Sequence, residues 1–393
     1  MEIMLLVDLL YPCDHSFLEE VYVKRLTRAG YKIVWVMRDR TITRVETGTW
    51  GENKVYRIPS YGTNSVTEMV KTALATIAYV PGVLKKEKSV ILQVRNDPLM
   101  GMLASWHSKK LKKRFMYQYT FYKSKSYADK KNLSAFLKYH AGQYIEKTLI
   151  GASEYTFVIS RTMKQELERA YGFTNLIEMP LGVDEEILID ERKMEAIKDT
   201  YHLKDHVLIY LGSLSSARRP EILVQILKTV LKEIQDVQLL IVGDSGFPQD
   251  VNHLKALFEK KHINAGHVIF TGKVPRKEIY EYLLTAQIGL SLIPPIPIYK
   301  IASPIKLADY MNAGIPVVAN KGIIEQDEII SDSQGGLLTE YGAEEISRAI
   351  IWLLKNPEYG KQYGENGKIY IRRNKNYTML ANRIVEYYGS KRL

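Results

Sequence analysis

The chain has 393 residues, of which 46% are hydrophobic and 25% are charged, and its formal net charge at pH 7 is +11. This length exceeds what one hydrophobic core usually reaches, so we expect two domains, and the composition excludes a largely disordered chain. The single cysteine, Cys13, excludes an internal disulfide framework and a cysteine-based zinc site, which is typical of a reducing compartment such as the cytoplasm.

In the first half, short β-branched runs alternate with amphipathic stretches, the pattern of an open, mostly parallel sheet. The first apolar run is broken by Asp8 and follows no positive charge, so it predicts a buried strand rather than a signal peptide. No run has the roughly 20 apolar residues that a spanning helix needs. Strands are predicted at 2–7, 32–37, 90–94, 115–119 and 155–159, with a helix at 16–29 that Gly30 closes.

Polar side chains near the predicted strand ends of this half are candidates for binding a substrate. They are Asp14, His15, Arg95, Asp97 and Tyr119. Asp14 and Asp97 suit the caps of the following helices equally well, because a carboxylate there accepts from free backbone N–H groups. We therefore expect a substrate-binding surface here without a single decisive residue.

A basic region occupies residues 101–150, which contain eleven Lys or Arg and two acids, Asp129 and Glu146. Tyr and Phe residues are interleaved with its lysines, a composition that suits reversible binding to an anionic membrane surface. A solvated helix above core aromatics explains the same pattern, and both interpretations stay open. No nucleic-acid-binding module is recognisable, so nucleic acid is not an expected partner.

A turn-rich segment at 179–184 and a charged stretch at 190–199 predict a domain boundary. We expect domains at 1–186 and 187–374, with a helix in 375–393 that packs back on the first domain. Both domains are predicted to be Rossmann-like and doubly wound, facing a central cleft. In the second half, strands are predicted at 207–211, 238–242, 268–271, 288–293 and 316–319, and helices at 220–233, 250–262, 276–284, 304–313, 343–355 and 377–388.

Two strand-to-helix junctions of the second half suit a diphosphate. In the first, Gly212 and Ser213 are followed by Arg218 and Arg219, with Pro220 suited to the first helical position. Guanidinium groups bind phosphate bidentately, and helix amino termini attract anions. A solvated helix start is the alternative, although positive charge there opposes the helix dipole.

The second junction is Ser303-Pro304-Ile305-Lys306-Leu307-Ala308-Asp309. Ser303 is predicted to cap a helix, with Pro304 at its first position and Lys306 in its first turn. Asp309 shares the face of Lys306, so an ammonium for phosphate and a carboxylate for ribose hydroxyls would lie together. A local surface pair between Lys306 and Asp309 is the alternative interpretation.

The run from 293 to 320 resembles the donor-binding signature of retaining glycosyltransferases of the GT-B fold, family 4 (glycosyl transferases group 1). Matching positions include Ser303, Pro304, Lys306, Gly314 and Pro316. Three further segments resemble the family in the same order: the loop from Gly212 to Arg218, the turn 241–246 and the segment 268–275. The resemblance therefore covers the second half and, more loosely, the first.

The resemblance implies a GT-B fold and a transferase that moves a sugar from a nucleoside-diphosphate sugar, with UDP or GDP as the nucleotide, to a glycan or lipid-linked acceptor. Retention, a metal-independent reaction without cofactor, and a cytoplasmic enzyme of surface polysaccharide or glycolipid synthesis, peripheral on the inner membrane face, are also implied. Arg218 and Lys306 would carry the leaving diphosphate, and the polar candidates of the first half would lie on the acceptor side. The implied donor-binding residues are Gly212, Ser213, Arg219, Gly243, Asp244, Lys273, Val274, Ser303, Pro304, Ile305 and Asp309.

Two positions depart from the family pattern. Ile301 stands where the first glutamate is usual, and Ser213 stands where arginine is frequent. These departures keep a catalytically inactive partner protein open as an alternative. A nucleotide-sugar epimerase of the same architecture is a second alternative. A phosphorylase would need a cofactor lysine or free-phosphate site that the sequence does not show.

Overall fold

A computed structural model describes residues 1–62, 65–122, 124–127 and 132–390. The chain forms two compact units: Met1–Pro180 together with Tyr377–Leu393, and Leu181–Asn376. The sequence places the corresponding boundaries at 186/187 and 374/375. The chain thus leaves the first unit, completes the second and returns to the first.

The first unit contains an eight-stranded sheet with the order β3-β4-β2-β1-β5-β6-β7-β8. All neighbouring strands pair in parallel except β3, which runs antiparallel to β4. Its central strands are almost continuously buried, as expected when helices cover both faces of a sheet. The strands are β1 (Glu2–Leu10), β2 (Lys32–Asp39), β3 (Glu46–Trp50), β4 (Asn53–Pro59), β5 (Ile91–Arg95), β6 (Arg114–Tyr119), β7 (Thr156–Val158) and β8 (Leu176–Glu178).

Four α-helices and a π-helical segment, Leu18–Leu26, connect these strands. Each α-helix begins at a residue whose side chain accepts a hydrogen bond from a free backbone N–H of the first turn. These caps are Ser65, Asp97, Asn132 and Ser160. The helices are α1 (Val66–Lys86), α2 (Pro98–Lys110), α3 (Leu133–Ala152) and α4 (Arg161–Tyr171).

The second unit contains a six-stranded, wholly parallel sheet with the order β11-β10-β9-β12-β13-β14. Its strands are β9 (His206–Leu211), β10 (Val237–Val242), β11 (Val268–Gly272), β12 (Ile288–Ser291), β13 (Val317–Asn320) and β14 (Gly336–Thr339). Strand order reverses between β9 and β12, where open α/β sheets place their ligands.

Nine helices follow in the second unit among the described residues, together with short 3₁₀ turns such as Ser216–Arg218. They are α5 (Glu191–Tyr201), α6 (Ile222–Val230), α7 (Pro248–Lys260), α8 (Ile279–Leu283), α9 (Pro297–Lys300), α10 (Ile305–Ala313), α11 (Ile324–Ser333), α12 (Ala343–Lys355) and α13 (Pro357–Asn374).

The last helix, α14 (Tyr377–Gly389), belongs to the first unit and packs on the segment Leu18–Leu26. The Tyr388 hydroxyl, fully buried, donates to Gln93 Oε1 on β5 at 2.6 Å. Arg114 on β6 donates to the carbonyls of Tyr387 and Tyr388 at the end of this helix. Buried polar contacts therefore attach the carboxyl-terminal helix to the sheet of the first unit.

Candidate active site

Two glycine turns lie side by side where β9 and β10 end. The Gly212 N–H donates to the Val242 carbonyl at 3.0 Å, and the Gly243 N–H donates to the Gly272 carbonyl at 3.0 Å. A Cβ atom on Gly243 would lie 2.0 Å from the Gly212 oxygen, and φ is +142° and +145° at the two glycines. Both positions need glycine, so backbone alone forms this edge and a ligand can approach it closely.

Tyr310 fixes helix α10 against the same strand ends. Its hydroxyl accepts from the Leu211 N–H at 2.7 Å and donates to the Leu290 carbonyl at 3.3 Å. The ring has room because residue 289 is glycine, where a Cβ atom would lie 2.5 Å from the ring. The amino terminus of α10, with its free N–H groups, is thereby held at the carboxyl edge of the sheet.

Lys306, in the first turn of α10, places its ammonium beside the Gly212 turn. Its Nζ donates to the Leu292 carbonyl at 3.2 Å and lies 4.2 Å from the centroid of the Tyr210 ring. Burial, together with the positive charge of Arg218, lowers the pKa of Lys306 to about 7. No carboxylate is among these contacts, so an anionic ligand would supply the missing counter-charge.

Arg218 brings a second cation to this edge, while Arg219 does not. The Arg218 guanidinium stacks over the Tyr299 ring, 4.1 Å from its centroid. Arg219 ends the turn Ser216–Arg218 with φ of +49° and its side chain is exposed. The predicted helix start at Pro220 is wrong, because this turn comes first and α6 begins at Ile222. Arg219 is not among the residues that line the pocket at this edge, whereas Arg218 is.

Ser303 has a different role from the one predicted. Helix α10 begins at Ile305 and Pro304 precedes it as the cap residue, without a side-chain capping bond. The Ser303 hydroxyl instead donates to Glu325 Oε1 at 2.9 Å, and the buried Glu325 also pairs with Lys375. The predicted serine cap with proline at the first position is therefore wrong by one residue, although Lys306 still falls in the first turn.

Asp309 is held by Arg276, a residue that the sequence reasoning did not select. The two carboxylate oxygens accept from Arg276 Nη1 at 2.7 Å and Nη2 at 2.5 Å, and Oδ1 also accepts from the Tyr280 hydroxyl at 3.3 Å. The Asp309 side chain is only 1% exposed, against 23% for Arg276. The geometry thus disagrees with Asp309 as a ribose ligand, because Arg276 occupies its oxygens.

A pocket of about 680 Å³ joins these features at the carboxyl edge of the second unit. It is lined by every predicted donor-site residue except Arg219, and additionally by Arg276. Lys273, Arg218 and Lys306 bring positive charge to the pocket, while the charge of Arg276 is paired with Asp309. Guanidinium and ammonium groups bind phosphate well. Position 301 is a buried isoleucine and offers no carboxylate.

Comparison with known proteins assigns this unit to a family. Residues 193–370 match the family model described as glycosyl transferases group 1. The second unit is a glycosyltransferase domain of group 1. The predicted resemblance to glycosyl transferases group 1 and the predicted glycosyltransferase class are confirmed, while family 4 and retention stay predictions.

Two solved structures match nearly the whole chain. Sucrose-phosphate synthase from Thermosynechococcus elongatus superposes with a TM-score of 0.78 at 16% identity, covering 99% of this chain and 98% of that one. Anabaena Alr3699/HepE, in complex with UDP and glucose, gives 0.73 at 14% identity, covering 99% of both chains. The predicted GT-B fold, with two Rossmann-like domains, is confirmed.

One archaeal relative matches in sequence. The glycosyltransferase MJ1069 of Methanocaldococcus jannaschii, described as uncharacterised, is 27% identical over 251 residues. The match spans 61% of this chain and 59% of the relative, so the chain aligns with less than two thirds of that protein.

The acceptor-side candidates outside the glycosyltransferase domain fall into two groups. Arg95 Nη1 donates to Asp8 at 2.6 Å and Nη2 lies 3.2 Å from His15 Nε2, so these three gather at the ends of β1 and β5. Asp97 caps α2 and pairs with Arg38 at 2.6 Å. Each of these side chains therefore already has a polar partner.

The other two candidates lie at opposite extremes of exposure. Asp14 is exposed. Tyr119 is only 2% exposed and packs against Tyr117 and Tyr122, so its prediction as an acceptor contact is wrong: burial among aromatic rings makes it a core residue.

Metal-binding clusters and membrane-spanning helices are both absent from the described residues. No group of three or more His, Cys, Asp or Glu side chains there could hold a metal ion. Within residues 1–62, 65–122, 124–127 and 132–390, no helix combines the length and apolar character needed to cross a bilayer. Of the predicted basic region, Lys123, Asp129, Lys130 and Lys131 lie outside the described residues.

Proposed function

We propose that the protein transfers a sugar from a nucleoside-diphosphate sugar to a glycan or lipid-linked acceptor, and that the donor binds in the pocket of the glycosyltransferase domain. The observation that carries this proposal is the meeting of Lys306, Arg218 and the amino terminus of α10 at the glycine turns of β9 and β10. Preorganised cations and free N–H groups of this kind stabilise the charge that develops on a departing diphosphate.

The donor nucleotide is UDP or GDP in this proposal, with UDP as the first choice. The support is the Anabaena structure, whose fold this chain shares and which contains UDP and glucose. Lys273 and Val274 line the pocket after β11, where the family resemblance implies backbone contacts to the base. The metal-independent reaction and the retention of configuration are likewise proposals that rest on that resemblance.

The acceptor side is proposed to lie in the first unit, near Asp8, His15 and Arg95. A role in surface polysaccharide or glycolipid synthesis on the cytoplasmic side is part of the proposal, as is reversible binding of residues 101–150 to an anionic membrane surface. The excess of lysine and arginine over acid in that region supports the membrane contact, because anionic headgroups attract basic segments.

Thermal shift measurements with UDP, GDP and ADP test the donor site. At a nucleotide concentration of about 100 times Kd, binding adds roughly 2.7 kcal/mol of stability, which raises Tm by several degrees. Lys306→Ala and Arg218→Ala should each remove this shift. Lys277→Ala, at an exposed lysine outside the pocket, is the control and should keep it. Absence of a shift with every nucleotide in the unaltered protein would refute the proposal.

Product analysis separates transfer from the alternatives. Incubation with UDP-glucose should release UDP slowly by hydrolysis and faster when a glycan or lipid-linked acceptor is added. An epimerised UDP-sugar without release of UDP would identify the epimerase instead. Nucleotide binding with neither product would indicate the inactive partner protein that Ile301 keeps under consideration.

A further inference from the structure

Three neighbouring helices of the first unit carry apolar side chains on the side that faces away from their sheet. Helices α1, α2 and α3 lie side by side, with α2 in contact with both others. The outward side of a helix that covers a sheet is normally polar. Their large exposed apolar residues, which we name the outer helix face, are Val66, Met69, Val70, Leu74, Ile77, Tyr79, Met102, Trp106, Leu133, Phe136, Leu137 and Tyr144.

Helix α1 shows the departure most clearly. Its inward side is buried at Ala75, Val80 and Leu84, as packing on the sheet requires. Its outward side repeats apolar residues every three or four positions, with Leu74 60% exposed and Ile77 49% exposed. This stripe lies on the solvent side of the helix and does not pack against the rest of the unit. It therefore forms an exposed apolar surface.

Helices α2 and α3 continue this surface with aromatic residues. Trp106 is 55% exposed, and Lys110 Nζ lies 3.5 Å from the centroid of its ring. Phe136 and Leu137 are 57% and 58% exposed on consecutive positions of α3. Tryptophan and other aromatic side chains prefer the boundary between lipid headgroups and hydrocarbon, and lysines beside them can contact the headgroups.

The charges around the outer helix face are almost all positive. The only acids in the three helices are Glu68 and Glu146, and Glu146 is buried. Their lysines are all exposed, namely Lys71, Lys85, Lys86, Lys109, Lys110, Lys138 and Lys147. Pairing of this face with the same face of a second copy would oppose lysine to lysine, which is repulsive. An anionic lipid surface is complementary both to the charge and to the apolar groups.

We propose that the outer helix face inserts its apolar side chains into an anionic bilayer, at the boundary between headgroups and hydrocarbon. Helix α1 contacts the bilayer together with α2 and α3. The inference rests on the membrane contact proposed above for residues 101–150 and deepens it in two ways. It adds α1, which lies outside that region, and it adds the burial of apolar side chains to the attraction between charges. The glycosyl transfer itself does not depend on it.

Vesicle flotation with purified full-length protein gives the first test. Binding to vesicles of phosphatidylcholine mixed with phosphatidylglycerol should exceed binding to phosphatidylcholine alone. Leu74→Ser with Leu137→Ser should reduce the partition coefficient on the order of tenfold or more, because two leucines no longer leave water. The matched control, Leu188→Ser with Ile369→Ser, changes two exposed apolar residues of the second unit and should leave it unchanged.

Fluorescence of Trp106 gives the second test and reports depth. Mixed vesicles whose acyl chains carry bromine should quench the emission, and Trp106→Phe should abolish this quenching while Trp352→Phe keeps it. Flotation that salt abolishes, without quenching by bromine, would overturn insertion and leave the electrostatic contact in place. Absence of flotation would overturn both membrane statements, while the UDP thermal shift would still test the donor site.

Self-association is the competing use of the same face. If light scattering shows a dimer that Leu74→Ser with Leu137→Ser dissociates, and the vesicles do not bind the protein, the outer helix face is an interface between copies and the proposal is wrong. A monomer in solution that binds and is quenched by anionic brominated vesicles is the result that we expect.

Discussion

At the scale of single residues, the titration of Lys306 is the most informative property of the donor pocket. Its pKa of about 7 in the free chain means that the ammonium is only partly protonated at neutral pH. A bound diphosphate would favour the charged form and raise this pKa, so nucleotide binding takes up a proton above pH 7.

Below pH 7, Lys306 is charged and its contribution to the affinity for UDP should not change with pH. Above pH 7, Lys306 loses its proton and the affinity should fall. Between pH 7.5 and 8.5, we expect Kd to increase about eightfold, provided that the pKa in the complex lies above this range. Calorimetry in buffers of different ionisation enthalpy measures both Kd and the proton taken up. Lys306→Arg, whose charge does not titrate here, should give a flat profile; an equal slope in that variant would contradict the assignment.

The pair formed by Arg276 and Asp309 predicts an asymmetric response to substitution. Arg276→Ala leaves a buried carboxylate without its bidentate partner and should cost about 3 kcal/mol of unfolding free energy. Asp309→Asn should cost less, because the more exposed guanidinium regains water, and adding it to Arg276→Ala should restore part of the loss. Urea denaturation measures all three variants.

The exposed pair of Lys321 and Glu340 provides the control for this comparison. Both side chains are more than half exposed, so Lys321→Ala should change the unfolding free energy by less than about 1 kcal/mol. Equal effects of Arg276→Ala and Asp309→Asn would contradict the role of burial.

The residues of the donor pocket differ in how well the sequence alone predicts their positions. Gly212, Arg218 and Lys306 belong to short segments whose glycine or helix-terminal chemistry is local, so their positions in the pocket could be predicted. Arg276 and Asp309 are 33 positions apart and meet only because α10 packs beside the start of α8. No local pattern links them, and a carboxylate that looked available for ribose is occupied.

At the scale of elements, Tyr310 connects helix α10 to two strands. Tyr310→Phe keeps the ring in the space left by Gly289 and removes only the hydroxyl, so the buried Leu211 N–H loses its acceptor. Such a group costs about 1–3 kcal/mol when unpaired. Urea denaturation of Tyr310→Phe should show a lower midpoint with an unchanged m value. The control Tyr359→Phe, at an exposed tyrosine, should leave both the midpoint and the m value unchanged.

Helix α13 shows why some elements were not predicted. Its glycines at 360, 364 and 367 look like helix breakers in the sequence, and no helix was predicted there. In the structure they allow close approach instead: a Cβ atom on Gly364 would lie 2.1 Å from the Gly314 oxygen. The hairpin of β3 and β4 was also missed, because a short edge strand carries a weak pattern of alternation.

At the scale of the whole molecule, the first unit is built from two segments of the chain that are separated by the whole of the second unit. The carboxyl-terminal helix α14 completes the first unit, where Leu380 and Ile384 are fully buried and Tyr388 reaches Gln93. The first unit therefore cannot complete its packing until the second has been synthesised, since 196 residues from Leu181 to Asn376 come between.

A chain that ends at Asn376 tests this dependence. Loss of α14 removes buried apolar contacts and leaves the polar groups of Gln93 and Arg114 without these partners, so we expect faster hydrogen exchange in β1, β5 and β6. Strands β9 to β14 contain a complete core of their own, so their protection and the binding of UDP should persist. A control chain that ends at Ser390 keeps the whole of α14 and should match the full protein. Equal loss of protection in both units would show that the second unit depends on the first, contrary to this division.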